Sequence, residues 1–97
     1  METNIIYKYR AAGASWGELT TVSYDTMDLT SEELSNPTVP HGAGKTISLR
    51  PWRSFQDHAE EPQDYRVVDR FPLIRQVAEQ EAPSLIALVF VVTDPDA

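Results

Sequence analysis

Asp69-Arg70-Phe71-Pro72-Leu73-Ile74-Arg75-Gln76-Val77-Ala78-Glu79-Gln80-Glu81 is followed, across Ala82-Pro83-Ser84, by Leu85-Ile86-Ala87-Leu88-Val89-Phe90-Val91-Val92. The second segment is a charge-free, Val-rich run closed by Thr93-Asp94-Pro95. It is about half the length needed to cross a bilayer, and its composition is that of a strand covered on both faces. A central place in a sheet is therefore expected for it. The first segment reads as an amphipathic helix. Asp69 suits an N-cap, Pro72 is tolerated in the first turn, and Leu73, Ile74, Val77 and Ala78 fall on one stripe, with Arg75, Gln76, Glu79 and Gln80 facing water. Only two or three residues join helix to strand, so the two should run antiparallel and in contact.

Working back from this pair, Asn4 to Arg10 alternates, with Ile5, Tyr7 and Tyr9 on one face and Asn4, Ile6, Lys8 and Arg10 on the other, as a half-buried strand does. Glu18 to Asp25 alternates again and its β-branched content suits a strand. Ala11 to Gly17, with two glycines, is a plausible hairpin loop, which makes the first two strands antiparallel. Thr30 to Gly44 is polar and turn-rich; Ser31-Glu32-Glu33-Leu34 can form one helical turn before Asn36-Pro37 and Pro40 stop it. A surface loop of that length is often functional. Lys45 to Arg50 reads as a short third strand. Pro51 is able to open a helical turn through Trp52, Phe55 and Ala59, and Tyr65 to Val68 fits either a strand or a helical lead-in. From Pro40 onward prolines recur near every eleventh residue, which limits each element to about ten residues. The expected fold is a single α+β domain over residues 1–97: a mostly antiparallel sheet of four to five short strands with one main helix packed on one face.

Ninety-seven residues, 41% apolar and 24% charged, are in the range of one globular domain. Cysteine is absent, which excludes disulfides, thiolate nucleophiles and sulfur-ligated metal. The start, Met1-Glu2-Thr3-Asn4, lacks the basic and apolar regions of a signal peptide, so a soluble cytoplasmic protein is expected. Fifteen acidic residues against eight basic ones give a formal charge of -7. The excess is concentrated in two stretches, Asp25, Asp28, Glu32 and Glu33, and Asp57, Glu60, Glu61 and Asp64. Such a surface repels phosphate, which argues against nucleic acid and anionic membrane as partners and for a protein with a basic surface.

Motifs that imitate catalytic sites fail on context. Gly13-Ala14-Ser15-Trp16-Gly17 matches G-x-S-x-G, but a nucleophile elbow needs a helix after the serine and a strand-like sequence follows. Gly42-Ala43-Gly44-Lys45-Thr46 resembles the end of a P-loop, yet Val39 stands where the first glycine belongs and no helix follows. His58, beside Asp57, Glu60 and Glu61, would neighbour Glu61 at i, i+3 if the segment were helical, giving part of an oxygen-rich metal site. The sequence assigns no catalytic residue, no metal site and no cofactor. Tyr7 and Tyr9 alternate with Lys8 and Arg10, so rings and cations lie on opposite faces and cannot serve one ligand together. Core and boundary packing is the expected role of the aromatics, apart from Trp16 at the hairpin tip, the kind of side chain that anchors an interface.

The function expected from these features is that of a small acidic, non-catalytic binding module that attaches to a larger, basic-surfaced protein and modulates or inhibits it. Its binding residues are Trp16, Asp25, Asp28, Glu32, Glu33, Asp57, Glu60, Glu61 and Asp64. Two alternatives stand beside it: a self-associating structural or virion component, and a small enzyme using His41 or His58 with nearby carboxylates.

Overall fold

The computed structural model describes residues 2–15, 17–54, 57–76, 78–79 and 82–96. The charge-free run forms β7, Ser84–Thr93, the middle strand of a five-stranded mixed sheet. On one side it pairs in parallel with β1, Glu2–Tyr9, which in turn pairs antiparallel with β2, Thr20–Asp28. On the other side it pairs antiparallel with β6, Gln63–Arg75, whose first residues pair antiparallel with β3, Thr46–Leu49. The order is β2-β1-β7-β6-β3, and a separate small hairpin joins β4, Trp52–Ser54, to β5, Asp57–His58. From Ala87 to Thr93 every residue of β7 is buried, as a strand flanked on both edges and covered on both faces requires.

The expected main helix is absent, and with it the α+β class: among the described residues the only helix is α1, Ser31–Ser35, and the domain is mostly sheet. The segment beginning at Asp69 continues β6 instead. It does run antiparallel to β7 and in contact with it, but by ladder pairing from Arg66 opposite Thr93 to Arg75 opposite Ser84. Local signals favour a helix here; seven cross-strand pairs from Asp69 to Arg75, five of them with a buried partner, outweigh them, since short-range propensity amounts to only tenths of a kcal/mol per residue. Pro72 is accommodated because β3 pairs only with Gln63 to Arg66, so its imide side borders no strand there among the described residues. Of the proposed apolar stripe, Leu73, Ile74 and Ala78 are exposed, and Val77 lies outside the described residues. The helical turn expected after Pro51 is likewise replaced, by the β4–β5 hairpin; Phe55 lies outside the described residues.

Register explains how the core is assembled. Ile5 lies beside Leu88, Tyr7 beside Phe90 and Tyr9 beside Val92, while Val67 lies beside Val92 from the opposite side. These rows, with Val22, Leu29, Ile47 and Tyr65, make one apolar cluster. A bulge between Val67 and Asp69 resets the alternation, so that Arg70 comes opposite Phe90 on that same face. The face is roofed by α1 and the following loop, through Leu34 and Val39. Thr30 caps α1 with a capping box: its hydroxyl accepts from the Glu33 N–H at 3.1 Å and Glu33 Oε1 accepts from the Thr30 N–H at 3.0 Å. Arg70 then fastens the roof to the sheet, donating from Nε to the Val39 carbonyl at 3.0 Å and from Nη2 to the Leu34 and Glu33 carbonyls at 2.8 and 3.3 Å.

Both exposed edges carry the same protection. The N–H of Thr26, on the outer strand β2, donates to its neighbour Asp25 at 2.7 Å, and the N–H of Arg70, where β6 extends past β3, donates to Asp69 at 2.7 Å. A carboxylate on an edge amide removes a donor that another strand would otherwise use and adds charge where pairing would occur.

Candidate functional site

Strand directions separate the two acidic stretches. Glu2 is opposite Asp28, which places Asp25, Asp28 and the neighbouring α1 residues Glu32 and Glu33 toward the end of the sheet where β1 and β7 begin. Arg66 is opposite Thr93, so Asp64, near the start of β6, belongs to the other end, where β7 finishes. Asp57 is in the β4–β5 hairpin, and Glu60 and Glu61 lead from it into Gln63. Among the described residues, the eight acidic ones expected to bind therefore fall into two groups rather than on one surface. Glu33 is spent on the capping box of α1, and Trp16 lies outside the described residues.

The second of these ends holds a cleft of about 350 Å³ that spacing in the sequence did not reveal. Its walls are Tyr9 at the end of β1, Tyr65 on β6 and Trp52 on β4, with Val22 behind and Gln63 and Asp94 at the side. The Tyr9 and Tyr65 rings meet edge to face, centroids 6.2 Å apart and planes at 67°. The Tyr9 hydroxyl donates to Asp94 Oδ2 at 2.7 Å, and the Tyr65 hydroxyl donates to Gln63 Oε1 at 3.1 Å. That bond to Asp94, reinforced by burial and the Asp94 charge, raises the Tyr9 phenol above its ordinary value; burial and then the Asp94 charge do the same for Tyr65. Both phenols therefore stay protonated near neutral pH. Trp52 is held from another side by Tyr24, edge to face at 5.6 Å and 82°. Tyr9 and Asp94 are 85 residues apart, so register alone brings them together.

His41 is elsewhere, in the roof. Its Nε2 is 3.1 Å from the Tyr7 hydroxyl, its ring stands edge-on to Phe90 at 5.3 Å, and its buried Nδ1 has no hydrogen-bond partner among the described residues. Burial, then the Lys45 charge, lowers its pKa, against a smaller opposing pull from Asp25. These contacts pack the loop onto the sheet. His58 is on β5, a strand, so the helical i, i+3 relation to Glu61 does not exist, and no group of three or more potential metal ligands occurs among the described residues. Gly13, with φ of 81°, and the bonds Ala14 N–H to Ala11 and Glu18 N–H to Ser15 shape the turn between β1 and β2, and strand rather than helix follows Ser15. The Gly42–Thr46 segment also enters a strand, β3.

A second groove, about 450 Å³, lies at the first end between β2, β1 and β7, with Ile6, Tyr24, Ile86 and Ala87 as its apolar lining and Asp25 on its rim. Close by, Leu73, Ile74, Leu85 and Ile86 are exposed where β6 and β7 extend as a two-stranded arm, Ile74 opposite Leu85. No helix among the described residues is long and apolar enough to cross a membrane. Compared with protein-family models, with curated proteins and with solved structures, the chain matches none of them.

Proposed function

We propose that the chain is a non-catalytic, cytoplasmic binding module that docks on a basic-surfaced protein and modulates or inhibits it, using the sheet end that carries the hairpin and the aromatic cleft. One observation carries this reading: the acidic segment Asp57, Glu60, Glu61 leads directly into Gln63 and Tyr65, which line a cleft that also contains Trp52 and the Asp94 carboxylate. Aromatic side chains beside a carboxylate, with further charged residues around them, have the composition of an interface centre with a polar rim. Negative charge steers a basic partner during encounter and is screened beyond roughly 8 to 10 Å at physiological salt. The test is binding kinetics with the stoichiometric partner captured from the native host. Reversing Asp57, Glu60 and Glu61 to lysine should slow association about tenfold at low salt, while reversing Asp28 and Glu32 at the other end should change it far less. Association indifferent to salt and to the triple reversal sinks the reading.

A second reading, self-association as a structural component, draws support from the exposed arm. Four large apolar side chains are exposed on its two paired strands, with Ile74 directly opposite Leu85, an exposure that a contact between copies would cover.

A further inference from the structure

The geometry of the Tyr9–Tyr65–Trp52 cleft points to an ammonium cage, and we propose that it takes the ε-ammonium of a lysine from the basic partner. The proposal rests on the binding-module reading and adds the chemistry of the contact. Two tyrosine rings at 67° form a corner, and Trp52 provides a third aromatic wall of the same cleft. Both phenol protons are already given away, to Asp94 and to Gln63. What the tyrosines offer a ligand is therefore ring surface, chiefly that of Tyr9 since Tyr65 is largely buried, rather than a donor. Aromatic faces attract a cation through the ring quadrupole, most strongly for Trp, and a carboxylate at the side of the cleft adds a full countercharge.

Competing ligand classes fit less well. An anion would meet the Asp94 carboxylate and the rings' negative faces, and the cleft lining offers it only neutral donors such as the Gln63 amide. A neutral apolar group would gain the walls but would also desolvate that carboxylate without compensation. Guanidinium is matched by a carboxylate presenting both oxygens to its planar fork, and here one of the two, Asp94 Oδ2, already accepts from Tyr9. A compact ammonium needs only ring faces and one acceptor. The walls are also held in place before any ligand arrives. Tyr24 braces Trp52 at 5.6 Å, Asp94 fixes the Tyr9 hydroxyl and Gln63 fixes that of Tyr65.

The test uses the intact chain and NMR of the Trp52 indole N–H, identified by its disappearance in Trp52→Phe. Three probes are titrated: Nα-acetyl-lysine methylamide, choline and 3,3-dimethylbutan-1-ol, the neutral isostere of choline. The lysine derivative and choline should shift the Trp52 signal with dissociation constants on the order of millimolar, and the neutral alcohol should bind at least about fivefold more weakly. Asp94→Asn, which keeps an acceptor for Tyr9 but removes the charge, should weaken both cations about fivefold and leave the alcohol unchanged. Equal response to choline and its neutral isostere, or no shift of Trp52 with any cation, overturns the cage. Choline binding far more tightly than the lysine derivative overturns the assignment to a lysine in favour of a free quaternary amine. Partner affinity that is unchanged by Asp94→Asn overturns the lysine contact while leaving the binding module intact. A cage that binds ammonium in a protein whose partner ignores the Asp57, Glu60 and Glu61 reversal would instead remove the module reading, and the partner lysine with it, while the ammonium site stands.

Discussion

The hydroxyl of Tyr7, on the buried face of β1, lies 3.1 Å from Nε2 of His41, in the loop that roofs the sheet. The contact gives the imidazole one polar partner; its other nitrogen is buried with none among the described residues. A neutral ring can meet this arrangement, but an imidazolium would add a second buried N–H without an acceptor, and both Lys45 and burial oppose its charge. Around the ring, Lys45 disfavours the proton, Asp25 partly favours it, and Tyr7 remains a phenol because burial, aided by the Asp25 charge, pushes it up to about 12. The folded pKa of His41 is thus below that of the unfolded chain. Its contribution to stability is complete above the ordinary value of about 6.5 and is lost as pH falls through the lowered folded value. The denaturation midpoint of the parent should therefore drop between pH 7.5 and 5 more than that of His41→Gln. Parallel pH profiles for the two proteins would show that His41 is not the group that titrates.

Arg70 ties strand to roof through three carbonyls of residues 33, 34 and 39. Hydrogen bonds from a charged group contribute about 1.5–3 kcal/mol, and removing the donor also leaves carbonyls unpaired. Arg70→Met should destabilise the domain by about 2–3 kcal/mol, and Arg70→Lys should recover only part of that, because an ammonium cannot span the same acceptors. Hydrogen exchange locates the effect: amides of residues 33–41 should lose protection before those of β7. A uniform loss across the sheet would contradict the fastening role.

Leu85 to Val92 can be read from sequence as a central strand because burial on both faces from Ala87 onward leaves a signal independent of the partners, a run of eight residues without charge. The β1–β2 hairpin is legible for a related reason, alternation on both sides of a glycine-containing turn. Residues 69–75 are not. Asp69 and Pro72 occupy positions that a helix start favours, and Leu73 and Ile74 fit a helical stripe. What makes them a strand is β7, later in the chain, together with a bulge after Val67 that breaks period-two alternation and brings Val67 and Arg70 onto one face. The cleft is hidden for the same non-local reason. Tyr9, Trp52 and Tyr65 each look like ordinary packing residues, and Asp94 looks like a strand terminator. The register of β1, β6 and β7 gathers Tyr9, Tyr65 and Asp94, and the separate β4–β5 hairpin adds Trp52. Acidic stretches were visible as composition, but their separation to opposite ends depends on strand direction, which composition does not encode.

The limits of burial along β7 give a paired test. Val89, 2% exposed, is flanked by Ile6 on β1 and Phe71 on β6, while Leu85, 36% exposed, lies on the arm. Val89→Asp would bury a carboxylate without a partner and should cost several kcal/mol, on the order of the whole stability of a small domain. Leu85→Asp should cost less than about 1 kcal/mol. Thermal melts distinguish the two; similar losses for both variants would contradict the boundary between core strand and arm.

The arm also decides between the two functional readings. Ile74 is 55% exposed and opposite Leu85 on the neighbouring strand, with Leu73 and Ile86 close by. If copies of the chain meet here, apolar burial must exceed the repulsion between two molecules of formal charge -7. Raising salt screens that repulsion and leaves the apolar contribution in place, so self-association through the arm should strengthen with ionic strength. Docking of the acidic hairpin on a basic partner should weaken under the same change. Sedimentation equilibrium of the parent and of Ile74→Lys at low and high salt is the measurement. A dimer that grows with salt and disappears in Ile74→Lys supports the structural component. A monomer at every salt concentration, with the parent and Ile74→Lys alike, removes that reading and leaves the arm as exposed surface on a module that binds from its other end.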